Sequence, residues 1–395
     1  MLKAIGDINN FGLMKRRIYY IGFYDNSKLG DRFQNRTCSS AAVNLIDYVS
    51  SVIGKTRDVF LLSPSWTLNK WSIFRGQKIK HADWLTICFP FTVGSFFKPL
   101  SFLGKLYSHF WILYYLLFVI GRREKVVVYH SVTLAPVIII AKLFRKFELI
   151  LQVNEIYQNV ENIGGINSYF EKRVFSYADS FIFSTVVLND IVNPLRQKPF
   201  IVCGGVYRNV PTTAQKFHDG KIHLVYSGII DKIKLGAFLS TQLAAKLNSD
   251  YIIHIVGFGL EPDINELKLL ILEVNKLNLA KVLFDGVKTG DEFNNYLQRC
   301  NIGLALQAPD GLFNETSFPS KIFTYMANGL YVVSVRSASI CSSPASESIY
   351  FGENNSLESI AQCIMNIPAV NKSNNVLMQL HSEFEGQLEN ILCKE

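Results

Sequence analysis

The chain has 395 residues, of which 49% are apolar and 18% charged, a balance that excludes an intrinsically disordered protein and suffices for two domains of ordinary size. The formal net charge of +8 is uneven: residues 1–200 hold 25 Lys/Arg against 13 Asp/Glu, while residues 201–395 hold 15 against 19. The 7 cysteines (38, 88, 203, 300, 341, 363, 393) form no Cys-x-x-Cys pair, which argues against a disulfide framework or a zinc site and for a reducing compartment.

Met1–Asn10 lacks the apolar core of a signal peptide, so the expected location is the cytoplasm. Arg17–Tyr24 reads as a first buried strand, followed by a polar loop, Asp25–Arg36, that contains Gly30 and Arg36. A helix is predicted from about Ser39 to Ile53, then strands at Asp58–Ser63 and Leu85–Phe89. Between Phe96 and Lys125, aromatic and aliphatic residues alternate with Lys98, Lys105, Arg122 and Arg123. Its uncharged part, Leu106–Gly121, is about 16 residues, short of the roughly 20 needed to span a bilayer. A helix lying on an anionic membrane surface fits this composition, and a core helix of the N-terminal domain is the alternative. No nucleic-acid-binding motif accompanies the basic half.

Strands follow at Val126–Tyr129, Leu149–Val153 and Ser180–Ser184. His130 comes directly after the first of these, and Glu155 just after the second, where a carboxylate can act as a base. Short apolar runs alternating with helical stretches mark a doubly wound α/β domain. The pattern loosens over Pro199–Gly220, where a linker is expected, and then restarts. The second half reads as strand Ile222–Tyr226, helix Gly236–Asn248, strand Tyr251–Val256, helix Ile264–Leu277, strand Val282–Phe284, helix Gly290–Arg299 and strand Ile302–Leu306. An amphipathic helix near Lys321 and a strand at Tyr331–Val335 follow, and a terminal helix, about Asn374–Leu392, closes the chain. The expected domains are 1–204, 205–370 and a returning C-terminal helix, 371–395.

Ligands of open α/β sheets bind beyond the carboxyl ends of strands, which directs attention to three turns. After Ile222–Tyr226, Gly228 permits close approach of a diphosphate and Lys234 supplies charge. Gly257-Phe258-Gly259 ends another strand. In Ser317–Gly329 (SFPSKIFTYMANG), Ser320 and Lys321 sit at a helix start, where unpaired N–H groups favour an anion, although lysine also suits an ordinary first turn. The sequence has no Asp-x-Asp, no Gly-x-x-x-x-Gly-Lys-Ser/Thr loop, and no Gly-x-Gly-x-x-Gly after the first strand. A metal-bound sugar nucleotide, P-loop hydrolysis and NAD-dependent hydride transfer are therefore not expected.

The stretch Phe318-Pro319-Ser320-Lys321-Ile322-Phe323, with Tyr325-Met326-Ala327 and Gly329, resembles the donor-binding segment of GT-B glycosyltransferases, especially family 4-like enzymes of bacterial surface polysaccharide synthesis. The resemblance implies two Rossmann-like domains facing across a cleft, with a last helix crossing back. It implies a nucleotide-sugar donor, a lipid-linked glycan acceptor at the inner membrane face, no metal or other cofactor, and a weak preference for retention. Ser320, Lys321, Gly228 and Lys234 would hold the diphosphate, Gly257 and Gly259 would face the nucleotide, and Phe284 would lie at the base. His130 would contact the transferred sugar, and Gly30 and Arg36 would lie on the acceptor side. The chain departs from the pattern at Thr324 and Thr316, where the family has glutamates, and at Ile229, where it has an arginine that Lys232 would have to replace. Those departures leave open a non-catalytic scaffold subunit, and the same fold also carries sugar-nucleotide 2-epimerases.

Overall fold

The computed structural model describes residues 16–24, 39–64, 73–94, 97–157, 165–308, 313–367 and 373–393. By internal contacts the chain divides into two units, one of residues 1–153, 164–182 and 388–395, the other of residues 154–163 and 183–387.

The first unit is built on strands β1 (Arg17–Ile21), β2 (Asp58–Leu62), β3 (Ile73–Phe74), β4 (Gln77–Ala82), β5 (Leu85–Phe89), β6 (Thr92–Val93), β7 (Lys125–Tyr129), β8 (Glu148–Val153) and β9 (Ser180–Phe183). Its main strands are ordered β9-β8-β7-β1-β2-β5-β4. β1 pairs in parallel with both β2 and β7, while β4 returns antiparallel along β5. The runs Val126–Val128 and Leu149–Leu151 are buried throughout, as a parallel sheet covered on both faces requires. The chain leaves β1 in one direction through β2 and β5, then restarts beside β1 at β7, so the topological switch lies between β1 and β7. His130 follows β7 at that point. β4 was absent from the sequence reading because QKIKHA is polar on both faces, as a strand at the end of a sheet tolerates.

In the first unit the helix Lys98–Tyr114 continues through a π turn, Tyr115–Val119. The resulting apolar stretch, Pro99–Val119, has 21 residues and is long enough and apolar enough to cross a membrane, exceeding the 16 or so read from sequence. Ser108, Ile112, Leu116 and Ile120 are buried at four-residue spacing and seat the helix on its unit. Phe102, Phe110, Tyr114 and Phe118 are exposed.

The second unit contains β10 (Phe200–Val202), inside the expected linker, then β11 (Ile222–Ile230), β12 (Tyr251–Gly259), β13 (Lys281–Gly286), β14 (Ile302–Ala305), β15 (Tyr331–Ser334) and β16 (Ile349–Phe351). The last six form a sheet of order β13-β12-β11-β14-β15-β16, parallel at each pairing. This is the 3-2-1-4-5-6 order of a dinucleotide-binding fold, whose crevice opens between β11 and β14. Its core joins Leu224, Ile253, Ile255, Leu267, Leu304 and Val333. β11 and β12 run three to four residues beyond the predicted ends, so Gly257-Phe258-Gly259 is strand, paired through Gly228–Gly257 and Ile230–Gly259.

The terminal helix Ser373–Cys393 belongs to the second unit through Gln387 and to the first from Leu388 onward. There Glu389 pairs with Arg57 at 2.6 Å, and Lys125 Nζ donates to the Ile391 carbonyl at 2.9 Å.

Candidate donor site in the second unit

The switch point between β11 and β14 gathers most of the residues singled out in the second half. Tyr226 is buried near the middle of β11, and Gly228 follows it with φ of +149°, a conformation that disfavours any side chain. A Cβ at Gly228 would stand 3.2 Å from Lys321 Nζ, so the bare backbone and the ammonium adjoin. A Cβ at Gly257 would fall 1.9 Å from the Gly228 carbonyl, and one at Gly259 2.2 Å from that of Ile230. Gly257 and Gly259 are thus required by the close approach of β12 to β11.

Lys321 opens the helix Lys321–Ala327, which follows β14. Its Nζ lies 3.9 Å from the centre of the Tyr226 ring, a cation–π contact beneath the turn. Burial, and next the Lys234 ammonium, lower its pKa to about 7, with Asp231 opposing. Among the described residues no carboxylate pairs with it. A cation held with little solvent beside an open glycine backbone is under-neutralised, and an anionic ligand is what would relieve it.

The helix is positioned from both ends. Gly329, at φ +75°, closes it: Leu330 N–H donates to the Tyr325 carbonyl at 3.1 Å and Gly329 N–H to that of Met326 at 3.0 Å. Tyr325 is fully buried, with its hydroxyl accepting from Ser227 N–H at 2.8 Å and donating to the Leu304 carbonyl at 3.3 Å. It lies where any side chain at Gly303 would sit, since a Cβ there would be 2.3 Å from the ring. These contacts tie the helix to β11 next to Gly228 and to β14. Gly303, Ser227 and Tyr226 were not singled out from sequence; they lie within the buried runs of β14 and β11, which carry no local sign of the contacts they make.

Other residues depart from the expectations. Ser320 is exposed and its side chain caps no backbone N–H, and with 7 residues this helix adds little macrodipole. Thr324 Oγ1 donates to the Ser320 carbonyl of its own helix at 3.3 Å, so it does not reproduce the ribose-binding carboxylate of the family pattern. Lys232, the proposed stand-in for the missing arginine, is paired with Glu266 at 2.5 Å. Lys234 is exposed, and its turn is set by Asp231 Oδ1, which accepts from Ile233 N–H at 2.9 Å and Lys234 N–H at 2.6 Å. Phe284 is half-buried on β13, with Lys268 Nζ 5.5 Å from its ring centre.

In the first unit, His130 is buried, with Nε2 3.0 Å from Glu171 Oε1, itself buried, and its ring packs against Phe175. Glu171 was missed because it appears as one more acidic residue on the helix Ile166–Tyr177. Glu155 falls in the stretch that contacts assign to the second unit. Gly30 and Arg36 lie outside the described residues. Among the described residues no group of three or more His, Cys, Asp or Glu is arranged to hold a metal ion.

No family model matches the sequence, and no curated protein matches it. Solved structures do match along nearly the whole chain. An E. coli trehalose-6-phosphate structure bound with UDP-2-fluoro glucose superposes with TM-score 0.64 at 9% identity, covering 95% of this chain and 98% of its own. The UDP-forming trehalose-phosphate synthase of Burkholderia xenovorans gives 0.61 at 10% identity, over 96% and 100%. The sucrose-phosphate synthase of Thermosynechococcus elongatus gives 0.60 at 14% identity, over 95% of each chain. The fold is therefore that of the GT-B glycosyltransferases, with parallel-sheet Rossmann-like domains.

Proposed function

We propose that the protein is a glycosyltransferase that moves a sugar from a nucleotide-diphosphate donor to a lipid-linked glycan. The placement of Lys321 Nζ beside the side-chain-free Gly228, near the carboxyl end of β11 at the switch point of the second sheet, carries this reading. The donor diphosphate sits at that strand end, with Lys321 beneath it and Lys234 at the exposed edge. As the glycosidic bond to the diphosphate breaks, charge accumulates on the leaving oxygen, and the two lysines stabilise it where it develops. His130, oriented by Glu171, and Glu155 are assigned to the transferred sugar and the acceptor, with retention of configuration. Gly30 and Arg36 are assigned to the acceptor side.

A lipid-linked acceptor at the inner membrane face is favoured by the exposed aromatic face of Pro99–Val119, flanked by Arg122 and Arg123. The buried stripe Ser108–Ile120 holds this helix on its unit, which suits lying in the interface better than spanning it. The similar structures named above are sugar-phosphate synthases, so a soluble sugar phosphate is the competing acceptor class.

Purified protein should transfer label from one of a panel of nucleotide-diphosphate sugars to lipid-linked glycan in anionic vesicles, detected by mass spectrometry of the extracted lipid. Transfer to a sugar phosphate alone refutes the acceptor class. Failure to bind any nucleoside diphosphate refutes the enzyme and leaves the scaffold reading.

A further inference from the structure

Across β11, β12 and β13 runs a chain of polar groups that the diphosphate reading does not use. Asp219 Oδ1 lies 2.9 Å from His223 Nε2, His223 Nδ1 lies 2.8 Å from His254 Nε2, and His254 Nδ1 lies 2.9 Å from Asp285 Oδ2. Tyr296 adds its hydroxyl at 2.7 Å from the same His254 nitrogen, so all four ring nitrogens are engaged. Both histidines are buried, and Phe217 stacks on them at centroid distances of 4.2 and 5.4 Å. Arg299 in turn covers Phe217 at 4.1 Å. A chain this fully bonded, with both histidines buried and Asp219 at the surface, fixes the orientation of the group at each end.

One of those ends is unusual. β13 carries a bulge: Ile255 is opposite Phe284 and Val256 opposite Gly286, which leaves Asp285 as the extra residue. Its carboxylate is turned inward, and although burial acts to raise its pKa, hydrogen bonds with His254 and Tyr296 hold it below the ordinary range. With Gly286 next at φ +67°, the peptide groups around Asp285 leave the ladder at the carboxyl edge of the sheet. Gly286 is two strands from Gly228, about 10 Å at the usual strand spacing, within the span from a diphosphate to its nucleoside base.

We infer that the chain Asp219–His223–His254–Asp285, with Tyr296, is a positioning device that holds the β13 bulge open to the nucleobase, so that His254 governs base recognition without touching the diphosphate. The inference rests on the donor-site reading above. The residues act through the backbone of Asp285 and Gly286, beside the Phe284 that the family resemblance sets at the base; the part played by His223, His254 and Tyr296 has no signal in the sequence.

The test is calorimetric titration of the full chain and of His254→Phe with UDP, GDP, ADP and CDP, and separately with inorganic pyrophosphate. Phenylalanine keeps the stack on Phe217 and removes both ring bonds. Affinity for the preferred nucleoside diphosphate should fall about tenfold and the ranking of bases should flatten, while pyrophosphate affinity stays unchanged. Equal losses for both ligand types, or an unchanged base ranking, overturn the inference. Where His254→Phe fails to fold, Tyr296→Phe removes a single hydroxyl from the same end and is read by the same criteria. A parent protein that binds no pyrophosphate overturns the donor site itself, and this inference with it.

Discussion

Lys321 combines two conflicting demands, burial and charge. Its amine is held at about 7 by burial and by Lys234, well under the ordinary lysine value of 10.5. A bound diphosphate reverses the balance and favours the ammonium, so binding near pH 8 should take up a proton. Calorimetry in buffers of differing ionisation enthalpy measures this directly. Uptake should approach one proton between about pH 7 and 10.5 and vanish in Lys321→Met. The stability consequence has the opposite sense. A lysine whose folded pKa lies below its unfolded one costs stability at and below pH 7, and the cost fades as pH rises to 10.5. Lys321→Met should therefore melt higher than the parent at pH 6 and nearly with it at pH 10. Gly257 tests the backbone half of the site: Gly257→Ala drives a methyl toward the Gly228 carbonyl and should destabilise by about 3 kcal/mol in thermal unfolding.

Among the elements, the helix Lys98–Tyr114 with its π turn is the one whose surface the fold leaves unexplained. Phe110 and Phe118 are 59% and 72% exposed, and each is worth about 1.5–3 kcal/mol if it enters an apolar phase. Phe110→Ser and Phe118→Ser should each weaken sedimentation with anionic vesicles about tenfold, with the far-ultraviolet spectrum unchanged. Equal binding by the double variant removes the membrane role. Most strands were legible because their apolar runs are buried on both faces, as in Lys125–Tyr129 and Glu148–Val153. β4 and the far ends of β11 and β12 were not. Polar residues and glycines there satisfy tertiary needs, the end of a sheet and a β11–β12 approach that leaves no room for a Cβ at Gly257, that no local pattern records. The donor turn was legible for a different reason. Gly228, Lys321 and Gly329 lie in short motifs that the family resemblance marks, whereas the Lys232–Glu266 and His130–Glu171 pairs join residues 34 and 41 positions apart.

At the scale of the whole molecule, the residues of the last helix divide between the two units, and its C-terminal end is held by a half-exposed carboxylate. The Arg57 hydrogen bond is the largest influence that lowers Glu389 to about 2, against burial. That stabilisation is full above the unfolded value of 4.5 and is lost as pH falls toward 2. Because Glu389 is 40% exposed, solvent screening limits the pair to about 1 kcal/mol. Glu389→Gln should lower Tm at pH 7 and converge with the parent near pH 2. The catalytic reading, however, rests on one cation beside one bare glycine near the end of β11. Titration of Lys321→Ala with the preferred nucleoside diphosphate should show affinity weakened about 10- to 100-fold while the melting transition remains cooperative. An affinity equal to that of the parent would mean that the diphosphate is held elsewhere.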